Sequence, residues 1–181
     1  LKRIENVVDI YYNSGRFQAS IKYMLMHFET PFLMFEKIAG YINKNDCLKR
    51  NLGSAQQYRV LYEFCKSMGV ADLAIKECLM FDYLSQGRNP NVPDFLKNGL
   101  HVDKMEVWNF IKKTDNTAKY FSHYSDKNFK EIAKNIYAAK FSFDIPYFLN
   151  QGRISNEHTT VIFDYGMRDC KGSVRYFKID I

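Results

Sequence analysis

A group of ionisable residues lies close together near the end of the chain. Asp164 and Tyr165 end an apolar run, and Arg168 and Asp169 lie in the segment that follows it. Carboxylate and guanidinium groups at this spacing can shape a polar binding site. They can also pair with each other in an exposed loop, where an ion pair contributes well under ~1 kcal/mol. These four residues are therefore a candidate polar site, with a loop ion pair as the alternative.

A second polar pair interrupts an apolar stretch in the middle of the chain. Asp82 and Tyr83 lie within a segment that is otherwise rich in Leu, Ile, Met and Phe. A buried carboxylate must be paired or hydrogen-bonded, because moving it out of water is costly. The pattern favours a structural tie from Asp82 to a neighbouring loop or helix end over a catalytic role.

A third candidate group surrounds the first predicted turn. Tyr11, Tyr12, Asn13 and Arg16 lie at a helix end and in the turn after it. Packing of the first helical hairpin explains the tyrosines, whereas Asn13 and Arg16 are available to face another domain. We treat the four as a candidate interface.

Residue types that hold metals or act as nucleophiles do not converge along the sequence. The cysteines form neither a CxxC nor a CxxxCxxC motif, and the histidines show no HxxxH or HxH spacing. There is no GxGxxG, no P-loop and no GxSxG elbow. We therefore predict no catalytic residue, metal ligand or cofactor site here, and scattered thiols favour a reducing cytoplasm. The cysteines are Cys47, Cys65, Cys78 and Cys170, and the histidines are His27, His101, His123 and His158.

Apolar residues recur at helical spacing through the first half of the chain. They predict helices over about 2–14, 17–28, 32–43, 54–65 and 71–84, the last of them central because it is apolar almost all round. Gly15 is expected to end the first helix, Thr30 and Pro31 to start the third, and Ser54 to cap the fourth. Further helices are predicted at 103–112, with Asp103 as N-cap, and from 125 to 137.

The last forty residues favour strands. Runs 159–163 and 174–179 are β-branched and aromatic and are bounded by glycines. Segment 140–149 predicts a third strand that Pro146 confines to an edge or a bulge. We predict an α+β fold in one domain, with a body of antiparallel helices (1–138) closed by a small C-terminal antiparallel sheet (139–181). Residues 85–93 read as a loop.

Composition fits a globular chain of 181 residues, with 46% apolar and 25% charged residues. Aromatic residues reach 16%, enough to fill a core and still line a groove or interface. The net charge is +6, but the basic residues are dispersed, which favours a solvated surface over a nucleic-acid site. No apolar run approaches the ~20 residues of a membrane span. The helical pattern is already under way at Leu1, so we expect a piece of a longer protein.

Two family resemblances compete. The segment YYNSGRFQASI (11–21) resembles the hinge of a tetratricopeptide repeat, although the pattern does not recur one period of ~34 residues later. The second resemblance spans most of the chain. Its matching segments occur in the same order as in the family, and none of them lies within 92–127. Its segments are IENVVDIYYNSGRF (4–17), SIKY (20–23), TPF (30–32), LYEF (61–64), FDYL (81–84) and FDYGMRD (163–169). They are similar to a C-terminal domain of unknown function in bacterial cobalamin-binding radical S-adenosylmethionine proteins, largely of anaerobic Firmicutes.

This resemblance implies a parent protein with a cobalamin-binding domain and a catalytic barrel, which uses S-adenosylmethionine and a [4Fe–4S] cluster. Such a cluster needs three converging cysteine thiolates, which the scattered cysteines of this chain do not provide. The chain is therefore expected to be a non-catalytic accessory domain that packs on the barrel and helps to enclose substrate.

Two other functions remain open. One is an αα-hairpin module that binds a protein or peptide in a groove of tyrosines, Tyr11, Tyr12, Tyr23 and Tyr58. The other is a basic RNA-binding domain, which would require lysines and arginines to converge in space. The accessory-domain hypothesis instead requires an exposed apolar, aromatic patch.

Overall fold

The computed structural model describes residues 2–45, 53–70, 73–87, 92–168 and 173–180. Within these ranges the chain has an α+β fold, a helical body with a small antiparallel sheet, as predicted. Asp169, Cys47 and Cys170 lie outside the described residues. None of the described helices has the length and apolar run that crossing a bilayer requires.

Five helices form the body, and the sequence signals that start them are largely confirmed. Thr30 caps the third helix by accepting a hydrogen bond from the Leu33 amide, and Pro31 is its first residue. The predicted cap at Ser54 is wrong by one position, because Gly53 is the N-cap of the fourth helix. The helices are α1 (Lys2–Val8), α2 (Gln18–Leu25), α3 (Pro31–Lys44), α4 (Ser54–Ser67) and α5 (Leu73–Ser85).

The first helix ends differently from the prediction. After α1 the backbone continues as a π-helical segment, Asp9–Asn13, rather than as a regular helix to residue 14. Gly15 has φ of 68°, a left-handed conformation that glycine adopts without the Cβ strain of other residues. The chain then reverses into α2.

Three shorter helices follow: α6 (Lys104–Lys112), α7 (Thr114–Tyr120) and α8 (Phe129–Lys134). The predicted N-cap Asp103 is confirmed, since its carboxylate accepts the Met105 amide at 2.7 Å. The sequence did not predict α7. The predicted cap of α8 at Ser125 is wrong, because Asn128 and Glu131 form a reciprocal capping box there.

The prediction for the third strand placed it too late in the chain. Residues predicted to end α8 instead begin β1 (Ile136–Phe141), whereas the second half of 140–149 belongs to a helix, α9 (Ile145–Gln151). Asp144 caps α9 by accepting the Tyr147 amide at 2.8 Å, and Pro146 fits the first turn, where no amide donor is needed. Pro146 therefore marks a helix start.

The sheet has the order β1-β2-β3 and is antiparallel throughout, with β2 (Thr159–Arg168) in the centre and β3 (Val174–Ile179) at the other edge. β2 is longer than predicted, and its pairing with β3 shifts between Asp164 and Arg168, which is a bulge.

The two faces of the sheet pack against different layers. Val161 and Phe163 face the main core with the body helices, whereas Ile162 faces a smaller cluster with α6, α7 and α8. β2 is therefore buried on both faces up to Asp164. The sheet lies between two helical layers instead of closing one end of the body.

Candidate functional site

Asp82 lies on α5 and fastens the start of α2. Its carboxylate accepts hydrogen bonds from the amides of Ala19 (3.0 Å) and Ser20 (2.8 Å) and from the Ser20 hydroxyl (2.6 Å). These donors include amides in the first turn of α2, which have no acceptor within the helix. A negative charge is favourable there because it interacts with the helix dipole. Burial nevertheless raises the pKa of Asp82 to about 7, with the hydrogen bonds opposing that rise.

A small polar cleft of about 150 Å³ lies beside this carboxylate. Its lining includes Asp82, Gln18, Ser85 and Gln86, with Gly15 at the turn. Segments NSGRF and FDYL, which carried the family resemblance, therefore meet at this cleft.

Tyr83 points into the core beside Tyr58, with ring centres 5.3 Å apart at nearly right angles. Burial raises the pKa of both phenols. Both therefore stay protonated at neutral pH, and the Tyr58 hydroxyl donates to the Arg16 carbonyl at 3.3 Å. Their contacts hold α4, α5 and the first turn together.

The residues of the first turn divide into buried and exposed members. Tyr11 is buried and donates its hydroxyl to the Gln57 carbonyl at 3.2 Å, and the Arg16 guanidinium donates to the Gln57 side chain at 2.7 Å. Asn13 is exposed and hydrogen-bonds Asp9 at 2.7 Å. Tyr12 is 60% exposed. The structure therefore leaves Tyr12 as the large apolar group on this surface.

A shallow groove of about 280 Å³ runs beside Tyr12, between α2 and α9. Its floor includes the buried Phe17 and Ile21, and its rim includes Leu25 and Leu149. The tyrosine-lined groove expected of an αα-hairpin module is present only in part. Tyr11 and Tyr12 line it, but Tyr23 and Tyr58 are buried in the core.

The alternative prediction of a loop ion pair includes Asp169, which lies outside the described residues. Asp164 itself lies in a strand and not in a loop. It is fully buried on β2, where Oδ2 lies 2.8 Å from Nε2 of His123. Oδ1 accepts the Tyr124 hydroxyl at 2.6 Å and the Gly166 amide at 3.0 Å. The carboxylate lies against the imidazole, and its hydrogen bond with Tyr124 fastens the turn Ser122–Tyr124 to the sheet.

Tyr124 explains the glycine in this strand. A Cβ added at Gly166 would lie only 1.9 Å from the Tyr124 hydroxyl oxygen. Burial first, and then the hydrogen bond to Asp164, raise the pKa of Tyr124, so its hydroxyl stays a donor. Gly166 is required here by close approach and not by backbone conformation.

The other residues of the C-terminal group are spread apart. Tyr165 is half-buried, packs against the main core and donates its amide to the Asn135 carbonyl at 2.8 Å. Arg168 is exposed and lies beside Gly87. The structure thus brings Asp164 together with His123 and Tyr124, two residues that carried no signal in the sequence.

Glu77 is a buried acid that sequence reasoning missed. It lies on α5 and accepts hydrogen bonds from the amide and hydroxyl of Ser142 (2.7 Å for the hydroxyl) and from the Asn98 side chain at 2.8 Å. Asn98 also donates to the Lys140 carbonyl at 2.8 Å. Glu77 joins α5 to the end of β1, and its place within an apolar helix was the available signal.

Metal-binding geometry is absent from the described part of the chain. No three His, Cys, Asp or Glu side chains in it are arranged to hold a metal ion. Cys65 and Cys78 are buried on α4 and α5. These residues do not fit an iron–sulfur cluster, which needs three converging thiolates.

The comparison with known protein families gives one match. A family model described as a protein of unknown function, DUF4080, matches residues 1–163. The chain belongs to the DUF4080 family. Asp82, the Tyr12 groove and the Glu77 contacts lie within the matched residues, whereas Asp164 follows directly after them and part of the Asp82 cleft is lined by β3. No curated protein and no solved structure matches the chain.

Proposed function

We propose that this DUF4080 chain is a non-catalytic accessory domain of a bacterial, cytoplasmic, cobalamin-dependent radical S-adenosylmethionine enzyme. It packs on the catalytic barrel in cis and helps to enclose the substrate. S-adenosylmethionine, the iron–sulfur cluster and cobalamin are held by the rest of the parent.

The observation that carries the proposal is the apolar surface around Tyr12. The Tyr12 ring lies 6.2 Å from that of Phe35 on α3, and Phe32, one helical turn earlier, is also exposed. Met26, at the end of α2, is exposed as well. These side chains and the adjoining groove expose apolar surface on the helical body, as a docking site for another domain requires.

The buried carboxylates also support a scaffolding role. Asp82 and Glu77 accept backbone and hydroxyl hydrogen bonds from other elements, and Asp144 caps α9 and pairs with Lys178. Carboxylates engaged in this way hold structural elements in position.

A binding experiment with the two halves of the parent tests the proposal. We expect the 181-residue chain to co-purify with the separately produced barrel region of its own gene. Tyr12→Glu should weaken that association at least about tenfold, because a central aromatic contact typically contributes ~2 kcal/mol or more to an interface.

Met105→Glu is the matched control, since Met105 is 61% exposed on α6, away from the groove. It introduces the same charge and should leave the affinity unchanged. Equal effects of the two variants, or no association in the wild type, would contradict the proposal. Capture of a separate protein through Tyr12 without the barrel would instead favour the αα-hairpin module.

A further inference from the structure

A second cleft lies on a different surface from the Tyr12 groove. It has a volume of about 470 Å³, within the ~300–1,000 Å³ typical of small-molecule sites. Trp108 and Val107 of α6 form one wall, and residues 136–140 of the edge strand β1 form the other.

The floor of this cleft is apolar and reaches the core. Met80 of α5, Ile111 of α6 and Ala139 of β1 line it and are each buried. Apolar walls of this kind exclude water and accept the hydrocarbon body of a ligand. The cleft is thus concave and preformed.

The charged side chains that line the cleft in the described part of the chain are both lysines. His101, Lys104 and Lys140 line it, and none of the described lining residues is acidic. The nearby Asp103 carboxylate is turned to the Met105 amide as the cap of α6. Lys112 adds a further ammonium group, 5.1 Å from the centre of the Trp108 ring.

The open edge of β1 is a poorer match to an extended peptide. A peptide that adds a strand needs a run of available backbone groups along the edge. At one end of the cleft the Lys140 carbonyl already accepts the Asn98 side chain. Depth, apolar walls and basic polar groups together favour a compact amphiphile.

We infer that this cleft binds a small amphipathic carboxylate, with its hydrocarbon body between Trp108 and β1 and its carboxylate near Lys104. The ligand class is a medium-chain or aromatic carboxylic acid. The inference concerns a different surface from the docking site and does not depend on it.

Trp108 provides the test, because it is the chain's single tryptophan. We expect decanoate, below its micelle concentration, to change the tryptophan fluorescence of the 181-residue chain in a saturable way. Decanol and decylamine should bind at least about tenfold more weakly, because they lack the anionic group. Calorimetric titration provides a measure of affinity that is independent of Trp108.

Charge reversal locates the carboxylate. Lys104→Glu should lower the affinity for decanoate at least about fivefold, the size expected of a partly exposed ion pair. Lys66→Glu is the control, because Lys66 is exposed on α4 and does not line the cleft. No saturable response to decanoate, equal binding of decylamine, or equal losses in the two variants would each overturn the inference.

Discussion

Asp82 shows how a single residue could be placed correctly from its surroundings. A carboxylate in a helix that is apolar almost all round must find donors, and it finds them at the first turn of α2. The sequence therefore predicted the kind of contact. It did not identify Ala19 and Ser20 as the donors, because they are more than sixty residues away.

The raised pKa of Asp82 gives a pH dependence with a definite sign. Between the usual aspartate pKa of 3.8 and about 7, the folded chain binds a proton at Asp82 that the unfolded chain does not. The contribution of Asp82 to stability is therefore full below about pH 4 and is lost as the pH rises toward 7. We expect the free energy of unfolding of the wild type to fall by a few kcal/mol over this range, relative to Asp82→Asn.

Urea unfolding of both proteins at several pH values measures this difference. Asn does not titrate at this position, so the contributions of all other titratable groups to the pH dependence cancel in the comparison. Parallel pH profiles for the two proteins would show that the pKa of Asp82 is not raised.

Gly166 allows a steric prediction at the same scale. Gly166→Ala should destabilise the fold by about 1–3 kcal/mol, because the new Cβ overlaps the Tyr124 hydroxyl that binds Asp164. Gly40→Ala is the matched control in urea unfolding. Its added Cβ has no atom within 4 Å on α3, so the helix should gain ~0.5–1 kcal/mol. A neutral effect at Gly166 would contradict the close contact.

At the scale of elements, α5 holds the two halves of the molecule together. Asp82 ties it to α2, and Glu77 ties it to the turn after β1. The almost wholly apolar pattern of this helix predicted its central position, and the structure buries nine of its residues.

Glu77→Gln tests the second of these ties. The Glu77 carboxylate accepts each of its hydrogen bonds, so the NH₂ group of Gln would be placed against the Ser142 backbone amide, which cannot accept. We expect a loss of about 1–3 kcal/mol in urea unfolding. Glu36→Gln, on the exposed side of α3, is the control and should change stability by less than ~0.5 kcal/mol. Equal effects would show that the Glu77 contacts are not stabilising.

The region around β1 shows why local pattern was insufficient. Ile132, Ala133, Ile136 and Tyr137 share helical spacing, so the pattern extended α8 too far. The helix instead ends after Lys134, and β1 begins at Ile136 because its edge pairs with β2, more than twenty residues later. Tertiary pairing overrode the local periodicity. The capping box of Asn128 and Glu131 is recognisable in the sequence and predicts the observed start of α8.

At the scale of the molecule, the fold class could be predicted because the sequence changes from helical to strand patterns after residue 138. The arrangement of helices on the two faces of the sheet could not be predicted. Ile162 and Phe163 are adjacent and pack against different helical layers. A sequence run without alternation indicates only that both faces are buried. The elements that cover each face depend on contacts such as Tyr124–Asp164, which no local spacing encodes.

The two proposed binding surfaces are separate. The Tyr12 groove lies on the helical body, and the basic apolar cleft lies where α6 meets β1. Docking on the first would leave the second open to a small molecule.

The most direct test of the accessory-domain proposal compares amide hydrogen exchange in the complete parent protein and in the 181-residue chain. The account predicts slower exchange in the parent for residues 10–14 and 25–29, which flank the Tyr12 groove, with unchanged exchange along α4. Identical exchange of residues 10–14 and 25–29 in the two proteins would contradict docking of the barrel on this surface.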